Sequence, residues 1–240
     1  MTEDAVRAGL AEGRIKEGSV RTYLSRSLVR RVAWPLVRRA AHRELSRRLP
    51  ADRIATAIQA TWEWYRGVEH ALGEPTLGAN IMVRLAALTA GLYHTLVAQG
   101  VSPDEASQWT SSVTWEVYSV LVAPTWKLTG VGARRPIHRV RRAMDLYMRF
   151  PYASPGYEME YVRTERDCVA FDVHRCPAAE FFRRQGLSDL CATAFCNLDY
   201  PLAESWGVTL ERSQTIARGA SHCDFRFRAD GLRADHGEGV

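Results

Sequence analysis

The sequence predicts an α+β fold in which an N-terminal helical region, residues 1–150, precedes a four-stranded antiparallel sheet with helices on one face. Two observations lead to this prediction. Apolar residues recur at helical spacing up to residue 148, whereas beyond Pro151 they alternate with polar residues, as in half-buried strands. Elements in the second part follow the order strand, strand, helix, helix, strand, strand, which suits an antiparallel sheet covered by helices. At 240 residues the chain can bury a sizeable core, and we expect one compact unit.

The helical prediction depends on apolar stripes and on one clear helix start. Side chains spaced three or four apart recur in two stretches, Ile54, Ile58, Trp62 and Tyr65, then Leu85, Leu88, Leu92 and Leu96. Ser102 is a capping residue, Pro103 suits the first helical turn, and Glu105 completes a capping box. Aromatic residues at helical spacing are typical of packing, so we assign them to the core rather than to a cofactor site.

The change of period begins at Pro151, Pro155 and Gly156. Alternation over residues 157–161 and 169–173 predicts two strands, and residues 208–216 and 223–228 predict two more. Helix signals between them lie at Cys176-Pro177 and at Ser188-Asp189. Residues 151–230 therefore form the α+β region, and residues 231–240 are expected to be a flexible tail.

Charge and composition narrow the class of protein. The net charge of +5 is concentrated between Arg7 and Arg48, a stretch that suits a solvated helix face or an oligomer contact better than phosphate binding. No zinc-finger or RNA-binding motif is present, so no nucleic-acid partner is expected. Five cysteines are too few for a disulfide scaffold and indicate reduced thiols in the cytoplasm. No apolar secretory segment opens the chain, and Arg84 and His94 interrupt the apolar residues 81–98, so no membrane span is expected.

Cys176 is the first candidate nucleophile. Because Pro177 favours the first helical position, Cys176 is expected at the helix cap, where backbone N–H groups favour an anion and lower a thiol pKa. Arg175 beside it is a candidate for holding a substrate carboxylate. The alternative is a small hydrophobic residue that seals a strand-to-helix turn.

Further candidates lie on the next elements. Cys196 and Asp199 are three residues apart and share a helix face, so they suit a nucleophile and a proton carrier, or a shared metal; otherwise they are a buried thiol and a solvated carboxylate. Cys223 alternates with Phe225, which places it on the apolar face of its strand, in a pocket or simply in the core, with Asp224 on the opposite face. Two histidines flank the thiols as possible bases or substrate-binding groups, namely His174 and His222.

Metal and cofactor motifs are not found in the sequence. Three cysteines some twenty residues apart match no compact zinc signature, and there is no P-loop, dinucleotide fingerprint or nucleophile elbow. We therefore predict no cofactor and assign no metal ligand, although cysteines that coordinate an ion remain the alternative to catalysis.

Three segments carry a resemblance to a known family. They are residues 172–177 (DVHRCP), residues 196–200 (CNLDY) and residues 219–227 (GASHCDFRF), and they resemble the L-2-amino-thiazoline-4-carboxylic acid hydrolase family; residues 100–106 resemble it more weakly. The resemblance implies a bacterial enzyme that opens a cyclic amidine on the way to L-cysteine. It marks Cys176, Cys196, Asp199, Cys223 and Asp224 as motif positions.

The resulting prediction is a cytoplasmic hydrolase that acts on a C–N bond of a small cyclic amidine. Its partner would be a small-molecule substrate, with a homo-oligomer as a further possibility. Cys176 is predicted to be the nucleophile, with Asp199 or Asp224 moving protons. The alternative function is a small-molecule- or metal-binding domain.

Overall fold

The computed structural model describes residues 20–229, so the predicted tail and the arginines before residue 20 lie outside the described residues. Helices dominate the first part of the chain. They are α1 (Val20–Leu28), α2 (Trp34–Leu45), α3 (Ala51–Val68), α4 (Leu77–Ala98), α5 (Pro103–Thr129) and α6 (Pro136–Tyr147). A π-helical turn, Val29–Ala33, joins α1 to α2, and a 3₁₀ turn, Glu69–Ala71, follows α3.

The predicted start of α5 is confirmed in detail. Ser102 Oγ accepts a hydrogen bond from the backbone N–H of Glu105 at 3.4 Å and donates to the Glu105 carboxylate at 2.6 Å, and Pro103 opens the first turn. This satisfies one of the free N–H groups that every helix start exposes.

Helix α4 crosses the interior of the protein. It is long and apolar enough to span a membrane, yet 67% of its apolar window is buried within the fold, as in the core helix of a globular protein. Arg84 on this helix is fully buried and donates to Ser25 Oγ, Tyr65 OH and the backbone carbonyls of Glu69 and Leu72. Hydroxyl and backbone carbonyl oxygens accept hydrogen bonds from this guanidinium. These acceptors offset the cost of burying its charge in the core.

Four antiparallel strands form one sheet in the order β1-β2-β4-β3, which confirms the α+β class. The strands are β1 (Glu158–Tyr161), β2 (Cys168–Arg175), β3 (Val208–Glu211) and β4 (Cys223–Ala229). Strand β3 is shorter than predicted, since the chain turns after Glu211 and reaches β4 through the 3₁₀ turn Ile216–Arg218. Gly219 ends that turn at φ +88°, a conformation that glycine adopts without strain.

Three short helices, rather than the predicted two, lie between β2 and β3. They are α7 (Pro177–Arg184), α8 (Ser188–Ala194) and α9 (Asp199–Ser205), and the 3₁₀ turn Cys196–Leu198 connects the last two. Pro201 stands in the first turn of α9, where its missing N–H removes no helical hydrogen bond. Pro201 is the third residue of α9, and this helix is separate from α8, whereas the sequence prediction counted a single helix after Ser188.

The pairing of β2 with β4 divides the sheet into two faces. Val173 is opposite Cys223 and Phe171 is opposite Phe225, and these side chains point towards the helices. Asp172 is opposite Asp224 on the other face. The inner face packs with α6 and α9 in one core cluster that includes Val140, Met144 and Trp206. The prediction that Cys223 and Asp224 point to opposite faces is confirmed.

Candidate active site

A cavity of about 430 Å³ lies between the inner face of the sheet and helices α4, α5 and α6. Its walls are largely aliphatic and aromatic, with side chains such as Leu85, Val117 and Phe227. A small group of polar and thiol-bearing residues interrupts this lining. That group is the candidate active site.

Four of the predicted site residues line the cavity together: Cys176, Cys196, Asp199 and Cys223. Each stands at the start of an element. Cys176 caps α7 as predicted, Cys196 opens the 3₁₀ turn, Asp199 opens α9 and Cys223 opens β4. The fold therefore brings three motifs that are distant in sequence to one wall.

The other predicted residues lie away from the cavity. His174 is exposed and lies 3.0 Å from Glu160, and His222 contacts Gln214 at 2.9 Å. Asp224 accepts hydrogen bonds from the backbone N–H groups of Ser213 and Gln214. Burial acts to raise the pKa of Asp224, but these hydrogen bonds outweigh it and lower the pKa. A carboxylate that organises a turn on the outer face is not placed to move protons at the cavity thiols.

Arg175 is also committed to structural contacts. Its guanidinium donates to Glu74 at 3.1 Å, to Glu180 at 3.2 Å and to the backbone carbonyls of Pro155 and Gly156. With these acceptors around it, Arg175 links the start of α7 to the segments that precede β1 and α4. It does not face the cavity as a free anchor for a substrate carboxylate.

The predicted activation of Cys176 is wrong. Burial raises the pKa of the Cys176 thiol to about 12, although the backbone N–H groups of Ala179 and Ala178 act in the opposite direction. Desolvation of a thiolate outweighs the attraction of a helix start when the site is apolar. Burial likewise raises the pKa of Cys223 to about 11. Both thiols are therefore neutral at physiological pH.

Cys196 is the acidic thiol of the site. Its Sγ lies 3.8 Å from Sγ of Cys191, which is buried on α8. The contact with the Cys191 thiol lowers the pKa of Cys196, although burial and the charge of Asp199 act in the opposite direction; the charge of Arg212 also lowers it. The same contact and burial raise the pKa of Cys191. These contacts therefore favour the thiolate form at Cys196 more than at Cys176.

Asp199 forms an ion pair with Arg212, Oδ2 lying 3.0 Å from Nη1. Burial raises the pKa of Asp199 to about 6, since the attraction of Arg212 offsets only part of the desolvation cost. A carboxyl group whose pKa lies near neutrality can both accept and return a proton. Asp199 is therefore not the solvated carboxylate of the alternative prediction, because it is paired with a buried arginine.

Arg212 is the site residue that sequence reasoning missed. Its side chain is only 2% exposed, and it lies over the rings of Tyr200 and Phe225, at 5.0 and 5.1 Å. It also donates to the backbone carbonyl of Cys196, while its Nε has no hydrogen-bond partner in the described residues. The available signal was one arginine within the predicted strand at residues 208–216, next to Glu211, which does not distinguish it from a surface residue.

Neutral phenols complete the polar lining. Tyr118, Tyr152 and Tyr157 line the cavity beside the candidate site. Burial raises the pKa of all three tyrosines, so each keeps its proton and can act as a donor.

Residues 20–229 contain no cluster of side chains suited to bind a metal ion. In this range no three His, Cys, Asp or Glu side chains are placed to hold an ion together. The nearest approach to a ligand set is the Cys196 and Cys191 pair, whose sulfurs already share a hydrogen bond.

Comparison with known proteins gives one informative match. The family model described as L-2-amino-thiazoline-4-carboxylic acid hydrolase matches residues 83–227, a range that includes all four predicted cavity residues and Arg212. No functionally curated protein matches the sequence at a significant level.

Two solved structures show distant likeness. A mutant Fe(II) unliganded H-NOX protein from K. algicida is 13% identical, with a TM-score of 0.40, and the match covers 82% of this chain and 97% of that one. The corresponding protein without the mutation is 12% identical, with a TM-score of 0.33 and coverage of 72% and 95%. Similarity this weak carries no functional argument. The family match extends over more than half of the chain, and the chain therefore belongs to the L-2-amino-thiazoline-4-carboxylic acid hydrolase family.

Proposed function

We propose that this protein is a hydrolase that opens a cyclic amidine by breaking its ring C–N bond. The proposal depends on one observation: Cys196, Asp199 and Arg212 line the same wall of a cavity, with Asp199 and Arg212 in an ion pair. An acidic thiol, a carboxyl group with a pKa near neutrality and a buried cation are the groups that such a reaction needs.

In the first step Cys196 is the nucleophile. Its sulfur adds to the electrophilic carbon between the ring sulfur and the ring nitrogen, while Asp199 takes the thiol proton. The adduct collapses with rupture of the ring C–N bond, and the departing nitrogen becomes an amine by receiving that proton from Asp199 and a second proton from the exocyclic amino group of the substrate. This leaves an amine and a carbon bound to Cys196.

Water releases the product in the second step. Asp199, ionised again, takes a proton from water as the hydroxide adds to the carbon bound to Cys196. The bond to Cys196 then breaks, and the proton passes to its sulfur. One water is consumed, and the product is a carbamoyl thioester with a free amine.

Arg212 supports both steps without exchanging protons. Its contact with Asp199 places the carboxylate and stabilises its charged form. Because Arg212 belongs to the cavity lining, its positive charge is suited to attract the carboxylate of a substrate. This role replaces the one that the sequence predicted for Arg175.

The test is incubation of purified protein with 2-amino-thiazoline-4-carboxylate, followed by mass spectrometry for the addition of one water. Ring C–N cleavage yields a new amine, whereas C–S cleavage yields a thiol, so amine- and thiol-reactive reagents identify the bond that breaks. Cys196→Ala and Asp199→Asn should abolish turnover, while Cys168→Ala, on the outer sheet face, should retain it. Absence of turnover in protein shown to be folded by circular dichroism would contradict the proposal.

A second candidate function, ligand binding without catalysis, is favoured by the predominantly apolar walls of the cavity. In that case the purified protein would hold a small molecule or an ion at constant stoichiometry and show no turnover. Native mass spectrometry together with elemental analysis distinguishes the two functions.

A further inference from the structure

The residues assigned to the reaction form only a small part of the cavity lining. Cys196, Asp199 and Arg212 lie at one wall, and most of the remaining lining is aliphatic or aromatic. Cavities of about 300–1,000 Å³ commonly enclose drug-sized ligands, and this one measures about 430 Å³. One small polar ring held at the polar wall would leave the apolar part of this space without a matching group.

The border of the cavity with solvent is apolar too. The exposed residues of its lining are Leu28 at 42%, Val32 at 45%, Leu121 at 37% and Phe150 at 52%. They come from α1, the following π-helical turn, α5 and the segment after α6. Large apolar side chains clustered at a cavity entrance typically mark a ligand-binding surface.

The polar wall contains an unsatisfied donor. Arg212 is almost entirely buried, and its Nε has no hydrogen-bond partner among the described residues. Arg212 belongs to the cavity lining, so its positive charge attracts an anionic group of a ligand placed against this wall. Together, the apolar walls and this donor define a site with a polar end and an apolar body.

We propose that the substrates of this protein are amphiphilic: a cyclic amidine carboxylate with an apolar chain or ring system attached. The carboxylate would meet Arg212, the amidine carbon would face Cys196, and the apolar group would lie along the cavity towards Val32 and Leu121. This substrate class rests on the proposed hydrolase function for its amidine head, while the apolar body rests on the cavity alone.

The apolar body gives a measurable expectation. Burying one methylene contributes about 0.8 kcal/mol, which corresponds to about fourfold tighter binding for each methylene until the cavity is filled. A homologous series of ligands should show this increment and then a plateau. A site made only for a small polar ring would show no such dependence.

The binding arm of the test needs no catalysis. N-phenyl-1-naphthylamine, a neutral dye that fluoresces in apolar surroundings, is titrated into the full-length protein and then displaced with n-alkanoates and n-alkanols of increasing length. We expect saturable binding and about fourfold better displacement for each added methylene. Arg212→Gln should weaken displacement by alkanoates and leave that by alkanols unchanged. Absence of saturable dye binding, or displacement that is independent of chain length, would overturn the proposal.

Matched variants locate the site. Val32→Arg puts a charge at the cavity entrance and should weaken dye binding about tenfold. Val131→Arg changes a valine that is 77% exposed and does not line the cavity, so binding should be unchanged. Equal loss in both variants would show that the dye binds elsewhere and would refute the assignment.

The catalytic arm separates this proposal from the proposed function. The parent 2-amino-thiazoline-4-carboxylate and ring-alkylated derivatives are compared by kcat/KM. Higher kcat/KM for the alkylated compounds supports both the hydrolase function and the amphiphilic substrate class. Turnover of the parent compound alone supports the hydrolase function and refutes the amphiphilic substrate class. If binding depends on chain length but no compound is turned over, the hydrolase function is refuted, and the proposal that the cavity binds amphiphilic ligands is supported.

Discussion

Replacing Asp199 with asparagine should remove activity and increase stability at neutral pH. Burial raises the pKa of Asp199 to about 6, against about 3.9 in an unfolded chain. Because the folded state holds the proton more tightly, the free energy of unfolding falls as pH rises from about 4 to about 6. At about 1.4 kcal/mol for each pKa unit, the ionised carboxylate costs about 3 kcal/mol at pH 7. Asparagine keeps an acceptor for Arg212 and lacks this cost.

Urea denaturation of wild type and Asp199→Asn at pH 4 and pH 7 measures the effect. We expect the variant to be more stable by up to about 3 kcal/mol at pH 7 and equal at pH 4. A variant less stable than wild type at pH 7 would show that the pair with Arg212 is a net stabiliser and would refute the reasoning. Turnover should fall by about a hundredfold or more in the variant, and kcat/KM of the wild type should fall about tenfold from pH 7 to pH 5.

Three further predictions concern the thiols and the buried arginine. Iodoacetamide near neutral pH should label Cys196 before Cys176, as mapped by peptide mass spectrometry, and the opposite order would contradict the assignment of the nucleophile. Peroxide should convert Cys196 to a sulfenic acid that condenses with Cys191, giving a disulfide with loss of water. Turnover should then stop and return on reduction, whereas Cys191→Ala should prevent the cross-link. Arg84→Met should lower the free energy of unfolding by about 2–4 kcal/mol, because two buried backbone carbonyls lose their donor; an unchanged denaturation midpoint would exclude that role.

The sequence alone was sufficient for properties that depend on neighbouring residues. The α+β class followed from the change of hydrophobic period near Pro151, and the start of α5 from the capping box at Ser102. The opposite orientation of Cys223 and Asp224 followed from strand alternation. The cap position of Cys176 followed from the proline after it. Each of these depends on backbone geometry over a few residues, which the local sequence encodes.

The chemistry of the site depends on contacts that only the tertiary structure creates. The helix-cap position predicted from the sequence favours a thiolate at Cys176. In the folded protein the surrounding strands and helices bury the sulfur, and burial raises its pKa. Cys196 is acidic because Cys191 lies 3.8 Å away across a helix end, and Asp199 is held by Arg212 from beyond β3. Desolvation and the pairing of charges are set by what surrounds a group in space, so they appear only when distant segments have been brought together.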